Sequence, residues 1–170
     1  MDFHPGGREW TEKLLELGAL PHGSKVLDMG AGAGDSLEII REFNLVPEGI
    51  DLAPRGEEVK KADFLNAPYP DYSFDGVLSQ CAFFVSGNVE RAFKEAGRLL
   101  KKGGRLMLSD VCFEPWDEYI KNTGLRLLYA QDLTPLWQEY YIERIWRGED
   151  VPRIPGKKCR YLAIICEKEK

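Results

Sequence analysis

One stretch constrains this chain more than any other: Val26-Leu27-Asp28-Met29-Gly30-Ala31-Gly32-Ala33-Gly34-Asp35-Ser36. It begins apolar, passes three glycines at alternate positions and runs into Leu37-Glu38-Ile39-Ile40-Arg41. That order predicts a strand, a tight turn and a helix. Glycine suits such a turn because the backbone must take dihedrals that other residues avoid and must let a ligand come into van der Waals contact. The turn ends at a helix N-terminus, whose unpaired N–H groups favour negative or electron-rich ligand atoms.

The spacing separates classes of ligand. A nicotinamide or flavin fingerprint reads G-x-G-x-x-G. Gly30 and Gly32 fit it, but Asp35 stands where the third glycine belongs. The chain instead reads D-x-G-x-G-x-G, with Asp28 two residues before the first glycine. This resembles motif I of the class I S-adenosylmethionine-dependent methyltransferases. The resemblance implies that Asp28, Gly30, Ala31, Gly32 and Gly34 hold S-adenosyl-L-methionine, with S-adenosyl-L-homocysteine as product. That cofactor has no phosphate; it carries an α-amino group and a sulfonium. A carboxylate at the end of the first strand suits the amino group, directly or through water.

Composition narrows the partners. At 170 residues the chain is expected to form one domain, residues 1–170. The net charge of −5 argues against tight non-specific binding of nucleic acid, which needs a basic surface. Cys81, Cys112, Cys159 and Cys166 show no C-x-x-C spacing, so reduced thiols, a cytoplasmic setting and no metal site are expected. No signal-peptide pattern and no apolar run of membrane-spanning length is present.

In chain order, Arg8 to Leu17 predicts a helix that Gly18 stops. In the family that the chain resembles, a segment before motif I often lies over the cofactor. Residues 1–24 are therefore a candidate lid, with His4, Arg8 or Trp10 touching ligand. A helix packed on the sheet edge is the alternative. The first strand is Lys25 to Met29, the next helix Asp35 to Phe43, and the second strand Val46 to Asp51. Asp51 resembles the motif II acid, which implies hydrogen bonds to the ribose hydroxyls, with Leu52 beside the adenine. Residues 53–61 leave room for one or two helical turns, followed by a short strand near 61–64. That crossover is shorter than the family's usual one. Asp63 and Phe64 resemble the adenine site, Asp63 accepting from the exocyclic amine and the Phe64 N–H donating to the ring. The following stretch resembles the family pattern P-F-x-D-x-S-F-D, with Tyr69 in place of the first Phe.

Gly76 to Phe84 predicts the fourth strand and its exit. Ligands of open α/β sheets bind beyond the strands' carboxyl ends, so Ser79, Gln80 and Cys81 are expected to face the cofactor. No N-P-P-Y motif stands here, which argues against nucleobase amines and glutamine amides as acceptors. A helix spans Asn88 to Leu100, capped by Asn88. Lys101 to Gly104 reads as a turn and Arg105 to Val111 as the fifth strand. The run A-F-K-E-A-G-R-L-L-K-K-G-G-R-L-M-L-S-D resembles the segment that follows the motifs in small-molecule methyltransferases. Asp110 and Cys81 are the candidate catalytic residues, with Asp132 and Tyr129 candidates by position alone. Nothing basic flanks Cys81 to activate it.

Beyond Val111 the resemblance weakens. A short helix over 116–123, a strand over 125–133, a helical insertion over 134–147 and a last strand over 158–167 are expected. The insertion carries Trp137, Tyr140, Tyr141 and Trp146. Those aromatics suit core packing, a substrate lid, or a face for a homodimer or partner protein.

The resemblance implies an α/β fold. Its doubly wound, mostly parallel, seven-stranded Rossmann-like sheet has order 3-2-1-4-5-7-6 with the last strand antiparallel. It also implies in-line methyl transfer to a small-molecule acceptor. There, positioning alone supplies ~7–11 kcal/mol in favourable systems. Two other readings stand beside it. One is a non-catalytic or partner-dependent cofactor binder, suggested by the short crossover. The other is a dinucleotide oxidoreductase, suggested by the glycine turn and opposed by Asp35.

Overall fold

A computed structural model of the chain describes residues 4–151 and 159–169. Helix α1 (Gly7–Gly18) precedes β1 (Lys25–Met29), α2 (Asp35–Glu42), β2 (Val46–Asp51) and β3 (Val59–Lys61). Then come β4 (Phe74–Gln80), α3 (Val89–Leu99), β5 (Leu100–Cys112), α4 (Asp117–Lys121), β6 (Leu125–Asp132), α5 (Thr134–Trp146) and β7 (Arg160–Lys168). The seven strands form one sheet in the order β3-β2-β1-β4-β5-β7-β6. The pairs from β3 to β5 are parallel, and β7 runs antiparallel to both β5 and β6. The expected order and the antiparallel last strand are both present.

Strands covered on both faces must be apolar on both faces. β1 and β7 meet that demand: Val26, Leu27 and Met29 in one, and Tyr161, Ala163, Ile164 and Ile165 in the other, are buried. One core gathers Leu27, Phe74, Val77, Phe93, Ala96 and Trp116 under α3 and α4. The other gathers Leu14, Leu37, Ile40, Met107 and Tyr161 under α1, α2 and α5. The Asn88 side chain caps α3 by accepting from Arg91 N at 3.0 Å. The same helix buries Glu95, which pairs with Arg91 and Arg98 and accepts from the Ala67 N–H. That acid ties α3 to the chain entering β4.

Several boundaries differ from expectation, each for a local reason. Residues 52–58 hold no helix and one hydrogen-bonded turn, closed by Val59 N–H to Gly56 O at 3.2 Å, while Arg55 N–H donates to Gly32 O at 2.9 Å and straps this segment across the glycine turn. The third strand comes earlier than 61–64, at Val59–Lys61, since its ladder to β2 starts at Gly49. Phe64–Asn66 is a 3-10 turn capped by Asp63. The turn expected over Lys101–Gly104 is absorbed into β5, with a register shift opposite Phe74 and Gly76. Lys158, expected to open the last strand, lies outside the described residues.

Candidate functional site

Beyond the carboxyl ends of β1, β2 and β4 lies a cavity of about 210 Å³. Its floor is the glycine turn. Gly30, Gly32 and Gly34 have φ of +93°, +55° and +90°, the left-handed region closed to most side chains. At Gly30 a second demand applies: a Cβ there would sit 2.4 Å from the Ala82 Cβ. Alternate glycines thus let the chain turn from β1 into α2 while keeping the cavity open.

Acidic groups surround this floor. Asp28, Asp35 and Asp51 line the cavity together with Gly30, Ala31, Gly32, Ala33, Ser36, His4, Arg55, Gln80 and Cys81. Asp28 is buried, accepts a hydrogen bond from the Ser36 hydroxyl and lies near Asp51. Burial pushes its carboxyl up to about 7, the Ser36 bond opposing and the Asp51 charge adding. Asp51 accepts from Gly32 N at 2.9 Å and from Ala53 N at 2.8 Å, one bond to each oxygen. A carboxylate has about four lone-pair sites, so capacity for further donors remains.

The wall beyond β4 is built differently. Gln80 accepts from the Thr11 hydroxyl at 2.8 Å, and its amide nitrogen lies 3.5 Å from both His4 Nδ1 and Ser109 Oγ. Tyr161 OH stands 3.2 Å from Ser109 Oγ and 3.2 Å from Cys81 Sγ. Cys81 itself has φ +56°. Burial pushes its thiol up to about 12, with the Asp110 charge adding. The Tyr141 hydroxyl of α5 is likewise pushed up by burial and feels the charge of Cys81. This wall is a neutral hydrogen-bonded network joining α1, β4, β5 and β7.

Some expected residues sit elsewhere. Ser79 is fully buried and donates to Met29 O at 2.7 Å, so it locks β4 to β1 and does not face the cavity. Asp110 is buried, and its oxygens accept from Phe84 N and Val111 N at 3.0 and 2.7 Å. Burial raises its carboxyl to about 6 against those bonds. It anchors the chain after β4 and is not placed as a base. Cys81 lines the cavity, and burial raises its thiol, which disfavours the thiolate that a nucleophile needs. Leu52 is exposed and off the cavity wall. Asp63 caps the 3-10 turn by accepting from Leu65 N, and Phe64 packs against Phe83, so neither lines the cavity. Gly34 stands at the cap of α2, also off the wall. Arg8 pairs with Glu12 and Glu42 at the surface, whereas His4 lines the cavity. Arg55, Thr11, Ser109 and Tyr161 were missed, because nothing in their local sequence marks them. Among the described residues no cluster of His, Cys, Asp or Glu is arranged to hold a metal ion.

An open α/β sheet of this order, with a glycine turn and two strand-end acids on one cavity, defines a Rossmann-like ligand-binding protein. A family model described as a methyltransferase domain matches residues 3–150, and the chain belongs to that family. Phosphoethanolamine N-methyltransferase 1 of Arabidopsis thaliana is 31% identical over an alignment of 143 positions that covers 72% of this chain and 29% of that enzyme. The chain spans about a third to a half of the length of curated relatives it matches. Two solved structures share the fold. The [4+2]-cyclase SpnF has a TM-score of 0.77 at 17% identity, covering 99% of this chain and 84% of that one. Geranyl diphosphate C-methyltransferase from Streptomyces coelicolor A3(2), in complex with Mg2+, geranyl diphosphate and S-adenosyl-L-homocysteine, has a TM-score of 0.75 at 17% identity. That match covers 93% of this chain and 78% of that one. Among the described residues no helix is long and apolar enough to cross a membrane.

Proposed function

We propose that the chain transfers a methyl group from S-adenosyl-L-methionine to a small-molecule acceptor. The observation that carries this is the placement of Asp28, Asp51 and the glycine turn around one acidic cavity. Such a donor set suits a ligand with an ammonium, a sulfonium and two ribose hydroxyls, and offers little to a pyrophosphate. Asp28 would receive the amino group, Asp51 the ribose hydroxyls, and the glycine turn would lie against the ligand. The cofactor, when bound, supplies a methyl already activated by a positive sulfur. The remaining task is to hold an acceptor in line and exclude water. Gln80, Cys81 and His4, on the wall of the same cavity, would orient that acceptor, with Tyr141 of α5 close behind. Asp110 and Cys81 hold their protons or their backbone partners too firmly to act as a base, so catalysis rests on positioning. A relative named for phosphoethanolamine and a structure holding geranyl diphosphate support a small acceptor.

The test is thermal melting with S-adenosyl-L-methionine, S-adenosyl-L-homocysteine and NAD. A ligand at 100 times its dissociation constant stabilises by ~2.7 kcal/mol, a rise of roughly 5–10 °C for a domain of this size. A rise with both sulfur ligands that Asp51→Ala removes supports the reading. A rise with NAD alone replaces it with an oxidoreductase. Binding without methyl transfer in an acceptor screen favours a non-catalytic or partner-dependent role.

Helix α5 also supports a second copy of the chain as partner. It buries Trp137 inward but leaves Ile142, Ile145 and Trp146 exposed, Trp146 at 86%. Two such helices packed antiparallel about an axis between positions 143 and 144 would set Ile142 beside Ile145 and bury Trp146. Light scattering that finds a dimer in the wild type and a monomer in Trp146→Glu supports this pairing. A wild type that stays monomeric at high concentration removes it.

A further inference from the structure

The motif read from the sequence ends at Gly34, yet the side chain that meets its first acid stands two places further on. Ser36 is the second residue of α2, and its hydroxyl donates to the Asp28 carboxylate across the glycine turn. Both residues line the cavity. The two strand-end acids of the floor are held differently. Asp51 accepts from the N–H groups of Gly32 and Ala53, which belong to the backbone and depend on no side chain. Asp28 is buried, and among the described residues the Ser36 hydroxyl is the one donor that its carboxylate has. Ser36 does not serve the helix as a cap, since Gly34 stands at the cap of α2 and no side chain bonds there.

A buried carboxylate with a single donor is driven toward its neutral acid. The ionisable groups that share its cavity are Asp51 at the end of β2, Asp35 at the start of α2, Arg55 beyond β2, His4 ahead of α1 and Cys81 beyond β4. The Asp51 charge adds to that drive, and the Ser36 bond opposes it. A hydroxyl donates more strongly to a charged oxygen than to a neutral one, so the bond favours the ionised form. We propose that Ser36 is a positioning residue for the methyl donor: its hydroxyl keeps the Asp28 carboxylate charged and fixed on the cavity for the ligand's ammonium. The inference rests on the cofactor reading above. Ser36 acts through Asp28 and need not touch the ligand. Removing one hydrogen bond to a charged group moves the ionisation of Asp28 upward by about 1–2 pH units.

Calorimetric titration of the full chain with S-adenosyl-L-homocysteine, which carries the same ammonium, tests this in wild type, Ser36→Ala and Ser36→Thr. The readout is the ratio of wild-type to variant affinity across roughly pH 6 to 9.5, in which the ligand's own ionisation cancels. For Ser36→Ala the ratio should be about 10- to 100-fold at the acid end and fall toward one above about pH 9. Ser36→Thr, which keeps the hydroxyl, should stay near one throughout. A Ser36→Ala ratio that is the same at every pH would make Ser36 a packing or direct ligand contact and overturn the proposal, as would a Ser36→Thr profile like that of Ser36→Ala. The carboxyl carbon of Asp28, followed by carbon-13 NMR in the ligand-free chain, should titrate about 1–2 pH units higher in Ser36→Ala. An unmoved midpoint overturns the proposal whether or not the ligand binds. A moved midpoint in a chain that binds no S-adenosyl-L-homocysteine removes the cofactor reading and leaves the coupling of Ser36 to Asp28 standing.

Discussion

The floor and the wall of the cavity solve the same problem by different means. The floor, from Asp28 to Asp51, is shaped by backbone conformation: three glycines with positive φ and a strap from Arg55 N–H to Gly32 O. The wall, from Gln80 to Tyr161, is shaped by side chains from α1, β4, β5 and β7 that hold one another. The floor leaves charges turned toward the cavity, and one of them, Asp28, is raised to about 7. The wall turns its charge away: Asp110 is buried off the cavity, whereas Asp51, which likewise accepts one backbone N–H on each oxygen, lines it. The glycine turn engages Asp51 through a single N–H, that of Gly32, and the carboxylate keeps lone pairs to spare on the cavity. A wall assembled from distant strands consumes its polar groups in its own assembly.

This contrast breaks first at Gly30. Gly30→Ala must place a Cβ 2.4 Å from that of Ala82 at a φ of +93°. Overpacking and left-handed strain together cost about 3 kcal/mol or more. Urea unfolding should show that loss. A variant as stable as wild type would mean the floor is not conformationally fixed.

Asp28 gives the next effect, and it depends on pH. Its carboxyl sits at about 7 in the fold against an ordinary 3.8. Between those values the folded chain binds more protons than the unfolded one, so this group's contribution to stability falls as pH rises through that window. Asp28→Asn should therefore stabilise the ligand-free protein on the order of 2–4 kcal/mol at pH 8, with the gain fading below pH 4. A cationic ligand needs the ionised form. Affinity for S-adenosyl-L-methionine should then fall about tenfold per pH unit below 7, with a proton released on binding, seen by calorimetry in buffers of different ionisation enthalpy. A pH-independent affinity would remove Asp28 from the ammonium site.

The smallest effect belongs to the wall. Tyr161→Phe deletes a hydroxyl that bridges Ser109 and Cys81. A shared network loses about 1 kcal/mol for one such group and redistributes the rest. Thermal melting should show a drop of a few degrees, with binding of S-adenosyl-L-homocysteine unchanged. A large loss of binding would mean that floor and wall are one unit.

Legibility followed the same division. The glycine turn, Asp28 and Asp51 could be read because each answers a demand within a few residues of itself. Sheet order was legible through the family resemblance of residues 26–111. Ser79 was misplaced because position on a strand does not say which neighbour its hydroxyl will find, and Met29 O took it. Asp63 and Phe64 have local duties, a 3-10 cap and an aromatic contact, that the sequence did not show. Nothing near Thr11, Arg55 or Tyr161 in the sequence shows that Arg55 lines the cavity or that the other two hold residues that do, since their partners lie 69, 23 and 80 residues away.

By itself, then, the sequence determined the turn and its acids, because only glycine accepts φ near +90° at Gly30 and Gly34 and only a polar strand end faces the crevice. The tertiary structure alone decided where the polar groups beyond β4 point and which cation covers the floor. Those choices are made by burial and by partners brought from distant strands. A buried polar group must take whichever partner the packed fold supplies, and the order of residues does not specify that partner.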